Sequence, residues 1–247
     1  MAMDDHEVAR HCAVLAAQRL LEIRGADAPD GNLGVIGDAA AQEILARTLG
    51  ALRPGDAVLS EESPDGLARL RADRVWIIDP LDGTREFAER PRTDWAVHVA
   101  LWERGELTAG AVALPALAIT LSTSDEPRRP PARVGGGPRL VLSRSRAPEF
   151  AGRLASALDA RVVRMGSAGA KAAAVIRGEA DVYVHGGGQY EWDSAAPVAV
   201  ARRFGLHTSR VDGSPLRYNQ PDPYLPDLLV CRADLAPAVL NAIATVR

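Results

Sequence analysis

Residues 75–85 read Val75-Trp76-Ile77-Ile78-Asp79-Pro80-Leu81-Asp82-Gly83-Thr84-Arg85, an apolar run that ends in two aspartates and a glycine. Val75 to Ile78 is apolar at every position, which predicts a strand over Arg74 to Asp79 that is buried on both faces and central to its sheet. Pro80 stiffens the turn that follows, so Asp79 and Asp82 can converge on one point. Gly83-Thr84 can open a helix, and peptide N–H groups at a helix start bind anions. The run thus sets carboxylates for a cation beside amides for an anion. Asp-Pro and Asp-Gly are also ordinary turn dipeptides. Yet five fixed residue types at about 5% usage each arise by chance on the order of once in ten thousand chains of this length.

Two more acidic clusters point the same way. Ser60-Glu61-Glu62-Ser63 follows a short strand (Val58 to Ser60), and adjacent carboxylates repel unless solvent or a cation relieves them. Glu191-Trp192-Asp193-Ser194 places Asp193 at a predicted helix start, where simple N-capping is the competing explanation. The three clusters offer only oxygen ligands, with no His or Cys pair nearby. Such a donor set selects a hard divalent cation, Mg²⁺, over zinc. Shared carboxylates suggest two or more ions, able to activate a water, bind phosphoryl oxygens and stabilise a leaving oxygen. A covalent aspartyl mechanism of the haloacid-dehalogenase type fails on spacing: it needs one residue between its aspartates, and Asp79 and Asp82 are separated by Pro80 and Leu81.

Outward from these motifs, Val8, Cys12, Leu15 and Ile23 fit a first helix with one buried face. A second is predicted to start near Asp38 as N-cap and to bury Ile44, Leu45 and Leu49. Trp95 to Thr123 holds three strand-like runs broken at Glu103-Arg-Gly-Glu106 and Pro115-Ala116, an antiparallel meander. Residues 124–139 are too rich in Pro and Gly to pack and read as a linker or exposed loop. Strands (140–142, 162–165, 182–184, 228–231) then alternate with helices (149–158, 168–176, 194–204, 235–246). The expected organisation is an α+β first half over 1–125, carrying Glu61 and the Asp79–Thr84 run, and an α/β second half over 138–247, carrying Trp192-Asp193. Together they make an α/β protein of stacked layers.

The chain has 247 residues, a formal charge of -3, 47% apolar and 25% charged residues. These are globular values with no basic field for nucleic acid. No apolar run approaches the ~18 residues that span a bilayer, and the N-terminus is acidic where a secretory leader would be basic. Cys12 and Cys231 are too few for a disulfide framework. A soluble cytoplasmic protein that binds neither membrane nor nucleic acid is expected.

Glu61-Glu62, Asp79-Pro-Leu-Asp-Gly-Thr84 and Trp192-Asp193 with Ala195-Ala196 resemble, in order and separation, the signatures of the inositol monophosphatase superfamily. Ser143-Arg-Ser-Arg146, Gly166-Ser167 with Lys171, Asp181-Val-Tyr183 and Pro215-Leu-Arg-Tyr-Asn219 resemble its bacterial 3'(2'),5'-bisphosphate nucleotidase branch. The resemblance implies a layered αβαβα sandwich and Mg²⁺-dependent, lithium-sensitive hydrolysis of the 3'-phosphate of adenosine 3',5'-bisphosphate in sulfur assimilation, with the sulfated analogue as a further substrate. It implies two or three Mg²⁺ ions on Glu61, Asp79, Asp82 and Asp193, with the Leu81 carbonyl completing one coordination shell. Thr84 and Asp38 would orient the water that Glu61 and a metal ion activate, and the Gly83 and Thr84 amides would hold the scissile phosphate. The family's usual Thr shortly before the Asp38 position is missing from Leu33-Gly-Val-Ile-Gly-Asp38, so Asp38 is either catalytic or only a helix cap. Relatives often dimerise. The apolar meander from Trp95 to Trp102 could serve a homodimer interface or simply the core.

Of 29 basic residues only Lys171 is a lysine. With Ser167 as cap, Lys171 falls one turn later on the same helix face. Hydroxyl, N-terminal amides and ammonium could then hold a second, uncleaved phosphate, or the helix could simply be capped and carry an ordinary lysine. Arg144 and Arg146 could add to that anion site or form an exposed basic loop. Asp82 and Asp193 would also face the substrate. Tyr190 and Tyr218 could stack on a purine or pack in the core. His98, alternating within a strand, reads as core or interface, and His185 has no evident partner. The alternatives kept open are an inositol-1-phosphate or fructose-1,6-bisphosphate phosphatase and a non-catalytic nucleotide sensor.

Overall fold

The structure, a computed structural model, describes residues 3–26, 32–127 and 135–247. Residues 128–134 of the predicted linker lie outside the described residues. Helix α1 (Asp5–Gly25) starts at Asp4, whose carboxylate accepts from the Glu7 N–H while the Glu7 side chain accepts from the Asp4 N–H. It buries Val8, Cys12 and Ile23, as the periodicity predicts, and also Ala16 and Leu20, while Leu15 is only half-buried. Helix α2 (Leu33–Leu52) begins earlier than predicted, so Asp38 is not its N-cap but lies inside the helix. Gly34 and Gly37, both inside α2, are points of close approach. A Cβ on Gly34 would fall 2.6 Å from Thr84 Cγ2, and one on Gly37 2.8 Å from Phe87 Cε1.

The first sheet holds β1 (Ala57–Ser60), β2 (Arg74–Asp82), then after the short α3 (Thr84–Ala88) β3 (Ala96–Glu103), β4 (Glu106–Leu114) and β5 (Ile119–Ser122), in that spatial order. β1 and β2 run parallel, and the rest form the predicted antiparallel meander. Along β2, Val75 and Ile77 face one core while Trp76 and Ile78 face another, which is why these four residues are all apolar. The β2–β3 register slips between Asp79 and Asp82. Pro80 has no N–H for the ladder, and without that slip residues three apart would point to opposite faces.

The second half supplies β6 (Arg139–Ser143), α4 (Ala151–Ala157), β7 (Arg161–Met165), α5 (Ala168–Ile176), β8 (Val182–His185), β9 (Gln189–Tyr190), α6 (Glu191–Arg203), β10 (His207–Ser209), β11 (Tyr224–Leu225), β12 (Leu228–Cys231) and α7 (Ala236–Val246). Its sheet has the order β10-β12-β8-β6-β7, and β9 pairs separately with β11. α1 and α2 cover one face of the first sheet. The alanine-rich α5 and α6 fill the space between the sheets, and α4 and α7 cover the outer face of the second. Small side chains make the central layer thin: a Cβ on Gly110 of β4 would fall 2.8 Å from Ala199 Cβ. The result is the expected αβαβα layering. Among the described residues no helix is long and apolar enough to cross a membrane.

Candidate active site

The C-terminal end of β2, the loop after β1, the first turn of α6 and the start of α5 converge on a cavity of about 170 Å³. Carboxylate oxygens of Asp79, Asp82 and Asp193 lie within 4.8 Å of one another. Asp79 Oδ1 accepts from the Leu81 N–H at 3.1 Å, and its Oδ2 is buried without a hydrogen-bond partner. Asp82 Oδ2 accepts from Ser167 Oγ at 2.5 Å and from the Gly169 N–H at 2.7 Å. Asp193 Oδ2 accepts from the Tyr190 N–H at 2.7 Å. Glu61, Leu81, Gly83, Thr84, Ser167 and Lys171 line the same cavity. Asp38 stands behind it, where the Thr84 hydroxyl lies 3.4 Å from Asp38 Oδ1 and 3.2 Å from the Leu81 carbonyl.

Burial first, then the carboxylates of Asp82, Glu61 and Asp193, pushes Asp79 well above the usual carboxylate range. Glu61, exposed at the rim, is raised to about 7 by desolvation and by Asp193, Asp82, Glu62 and Asp38. Asp38 rises to about 7 through burial and the nearby Glu62, against the Thr84 hydrogen bond. Burial and Asp82 carry Asp193 to about 6. Asp82 goes the other way: burial alone would raise it, but His98, Lys171 and the Ser167 hydroxyl hold it low. Three carboxylates crowded within 4.8 Å, one with an unpartnered buried oxygen, fit a hard cation bound through oxygen.

Lys171 is 4% exposed and lies beneath the start of α5. Its Nζ donates to the Gly166 and Ser167 carbonyls, each at 2.6 Å, and sits 5.3 Å from the Tyr183 ring centroid. Burial lowers its pKa to about 8, partly offset by Asp82 and Asp193. Ser167 caps α5 through the Ala170 N–H at a φ of 34°, a strained value for a non-glycine. Arg144 does not reach the cavity wall. Its guanidinium is taken by Glu86 and Glu89 at 2.7 Å each, and the arginines on the wall are Arg85 and Arg146. Tyr218 is buried against the Ser194 hydroxyl, which settles it as core, whereas Tyr190 is exposed and stacks on Trp192 at 4.9 Å. His185 and Gln189 line the cavity and were not assigned to it from sequence.

His98 is the supporting residue that sequence reasoning missed. It is fully buried, as a core reading expects, but its Nδ1 donates to the Trp192 carbonyl at 3.0 Å and its Nε2 lies 3.3 Å from Asp82 Oδ2. It opposes Asp79 across the β2–β3 ladder, so pairing β2 with β3 in sequence could have found it. Gly169 leaves room for the ring, since a Cβ there would fall 2.0 Å from His98 Nε2. Gly169→Ala is therefore expected to cost about 1–3 kcal/mol of stability by overpacking and to weaken divalent-cation binding. Urea denaturation and calorimetry check both, and a wild-type denaturation midpoint would contradict the clash.

A sequence model of the inositol monophosphatase family matches residues 28–130 and 137–244. The chain is 55% identical over 239 residues to the 3'-phosphoadenosine 5'-phosphate phosphatase of Mycobacterium tuberculosis, covering 93% of this chain and 89% of that protein. It is 32% identical over 199 residues to the 3'(2'),5'-bisphosphate nucleotidase CysQ of Escherichia coli K12, covering 76% and 80%. Among solved structures, CysQ from Bacteroides thetaiotaomicron superposes with a TM-score of 0.79 at 28% identity, over 91% of this chain and 96% of that one. Motifs, layering and relatives agree, and the chain belongs to the inositol monophosphatase family.

Proposed function

We propose that this chain is a Mg²⁺-dependent phosphoric monoester hydrolase that removes the 3'-phosphate of adenosine 3',5'-bisphosphate, leaving AMP and phosphate, in the cytoplasm and in the service of sulfur assimilation. The observation that carries the chemistry is the Asp79–Asp82–Asp193 cluster with its unpartnered buried oxygen. The substrate is supported by the activities for which the relatives are named and by the cationic wall of Arg85, Arg146 and Lys171.

Two or three Mg²⁺ ions held by Glu61, Asp79, Asp82, Asp193 and the Leu81 carbonyl would activate water and neutralise phosphoryl charge. The chain's own groups do the positioning. The Thr84 hydroxyl proton is directed at Asp38 and Leu81, which leaves an oxygen lone pair to accept from the attacking water. Glu61, raised to about 7, can take a proton from that water near neutral pH. Gly83 and Thr84 offer backbone N–H groups at the cavity wall to the scissile phosphate. Gly83 holds a φ of 89°, and a Cβ there would meet Ser167 Cβ at 3.1 Å. Ser167 and Lys171 fix the α5 start against Asp82, and one Lys171 N–H remains for an anion.

Phosphate release with Mg²⁺, with and without lithium, tests this on adenosine 3',5'-bisphosphate, its sulfated analogue, inositol 1-phosphate and fructose 1,6-bisphosphate. The expected result is preference for the nucleotides, suppressed by lithium. Preference for a polyol phosphate would keep the metal chemistry and overturn the substrate. Nucleotide binding without release from any of the four would favour a sensor.

A further inference from the structure

Arg69 is 3% exposed, and a guanidinium that deep must satisfy its fork of donors locally. It lies in the short turn Ala68–Arg71 that follows the Glu61-Glu62 loop. Its Nε and Nη2 donate to Asp65 Oδ2 at 2.9 and 2.7 Å, its Nη1 to Asn219 Oδ1 at 2.6 Å, and its Nη2 also to the Gln220 carbonyl at 2.8 Å. Asn219 adopts a φ of 58°, a left-handed conformation that asparagine tolerates. The N–H groups of Asn219 and Gln220 both donate to the Glu191 carboxylate, at 2.6 and 2.7 Å. Glu191, 1% exposed, is the first residue of α6, two before Asp193. An unbroken polar chain thus runs from the Glu61 loop through Asp65, Arg69, Asn219 and Glu191 to the helix end that bears Asp193.

The near end of the same loop is tied elsewhere. Ser60 Oγ donates to Gln42 Oε1 at 2.8 Å, and Gln42 Nε2 donates to Ser63 Oγ at 2.7 Å, so α2 anchors it. Between the two anchors Glu61 faces Asp193, Asp82, Glu62 and Asp38, all of its own charge sign. Carboxylates of one sign at such spacing repel unless a cation or a proton relieves them. Arg69, Asn219 and Glu191 do not line the cavity.

We propose that Arg69, Asn219 and Glu191 form a cross-brace that holds the Glu61-bearing loop against the Asp193-bearing end of α6, and so keeps Glu61 at the wall of the carboxylate cavity. They are positioning residues that act through Glu61. The idea rests on the reading of the carboxylates as a metal site. It predicts that loosening the brace is felt at Glu61 before it is felt by the fold at large.

The test uses Asn219→Ala, which removes one acceptor of Arg69, and Arg69→Lys, which cannot reach Asp65, Asn219 and Gln220 together. Amide hydrogen exchange is read in the metal-free protein, and binding of Mg²⁺ alone by calorimetry. Exchange of residues 61–67 is expected to rise about tenfold in either variant while β3 and β4 stay unchanged. Mg²⁺ binding should weaken about five- to tenfold, and by much less when Glu61→Gln is already present, because the two changes act through one contact. An exchange increase spread evenly over the molecule, or fully additive losses with Glu61→Gln, would overturn the brace. Were the unmodified protein to bind no divalent cation, the metal-site reading would fall, and local exchange over 61–67 would still uphold or overturn the brace.

Discussion

Asp79→Asn is expected to lower Mg²⁺-supported phosphate release by about a thousandfold or more, about 4 kcal/mol of barrier, while the metal-free variant melts at a higher temperature than the parent. The two effects have one origin. Asp79 is 1% exposed, with Oδ1 held by the Leu81 N–H and Oδ2 without a hydrogen-bond partner, His98 Nδ1 being 4.0 Å away. A buried, unpartnered acceptor costs about 1–3 kcal/mol, more when charged. Here the neighbours are further carboxylates, which add repulsion. An asparagine has the same shape, and its amide oxygen can still accept from Leu81. The substitution removes charge without removing the local hydrogen bond, so the fold loses nothing and the repulsion falls. What it does remove is the anionic ligand around which the cavity is built. Steady-state phosphate release and calorimetric melting measured on the same sample read both effects. A less stable variant that still turned over would make Asp79 a structural residue and undo the proposed chemistry.

Much of this was legible in the sequence because it is local. Val75 to Ile78 of β2 are all apolar because the strand lies between two helical layers, and both cores draw on it. Helix α5 runs over Ala168–Ile176, the span the sequence predicts, since Ser167 caps it and Gly178 follows. What stayed hidden depends on partners far away in the chain. Asp38 looks like a helix cap next to Gly37, yet those glycines exist to let α2 approach Thr84 and Phe87. His98 follows an ordinary strand alternation, and only its position across the ladder from Asp79 gives it a role. Arg144 and Arg146 are indistinguishable by type and spacing. Glu86 and Glu89 claim the first, and the second reaches the cavity. Nothing near Arg69 in sequence announces that Asn219, 150 residues on, will accept from it. Tyr190 and Tyr218 were equal candidates to stack on a base, and burial beside Ser194 separates them. Local propensity places elements, but burial and pairing across elements assign the roles.

Without metal, the protein is expected to lose stability as pH rises from about 5.5 to about 8, and saturating Mg²⁺ should return it mainly at the alkaline end. The sign follows from the direction of each shift. A carboxyl group whose folded pKa lies above its unfolded value contributes stability below the unfolded pKa, and that contribution is lost as pH rises through the folded one. Asp38 and Glu61 are raised to about 7 and Asp193 to about 6, with burial the leading cause in each. Asp79 is raised in the same direction, again with burial first. His98 is raised too: burial alone would lower it, but Asp82 more than compensates, so its contribution is also lost on the alkaline side. Asp94 and Asp227, held low by Arg92 and Arg210 against their burial, lose their contribution only in stronger acid and do not enter this window. His185, lowered to about 4 by burial and then by Lys171, and His207, lowered by burial, oppose the trend, as does Lys171, lowered to about 8, at the alkaline end. Mg²⁺ competes with protons for the same oxygens, so it binds little where they are protonated and tightly where they are not. At a hundredfold excess over its dissociation constant a ligand adds about 2.7 kcal/mol, which for a chain of this size is roughly 5–10 °C in Tm. Melting curves at the two pH values, with and without Mg²⁺, give the answer directly. A stabilisation by Mg²⁺ that is equal at both, or larger in acid, would mean that the cation binds somewhere other than Glu61, Asp79, Asp82 and Asp193.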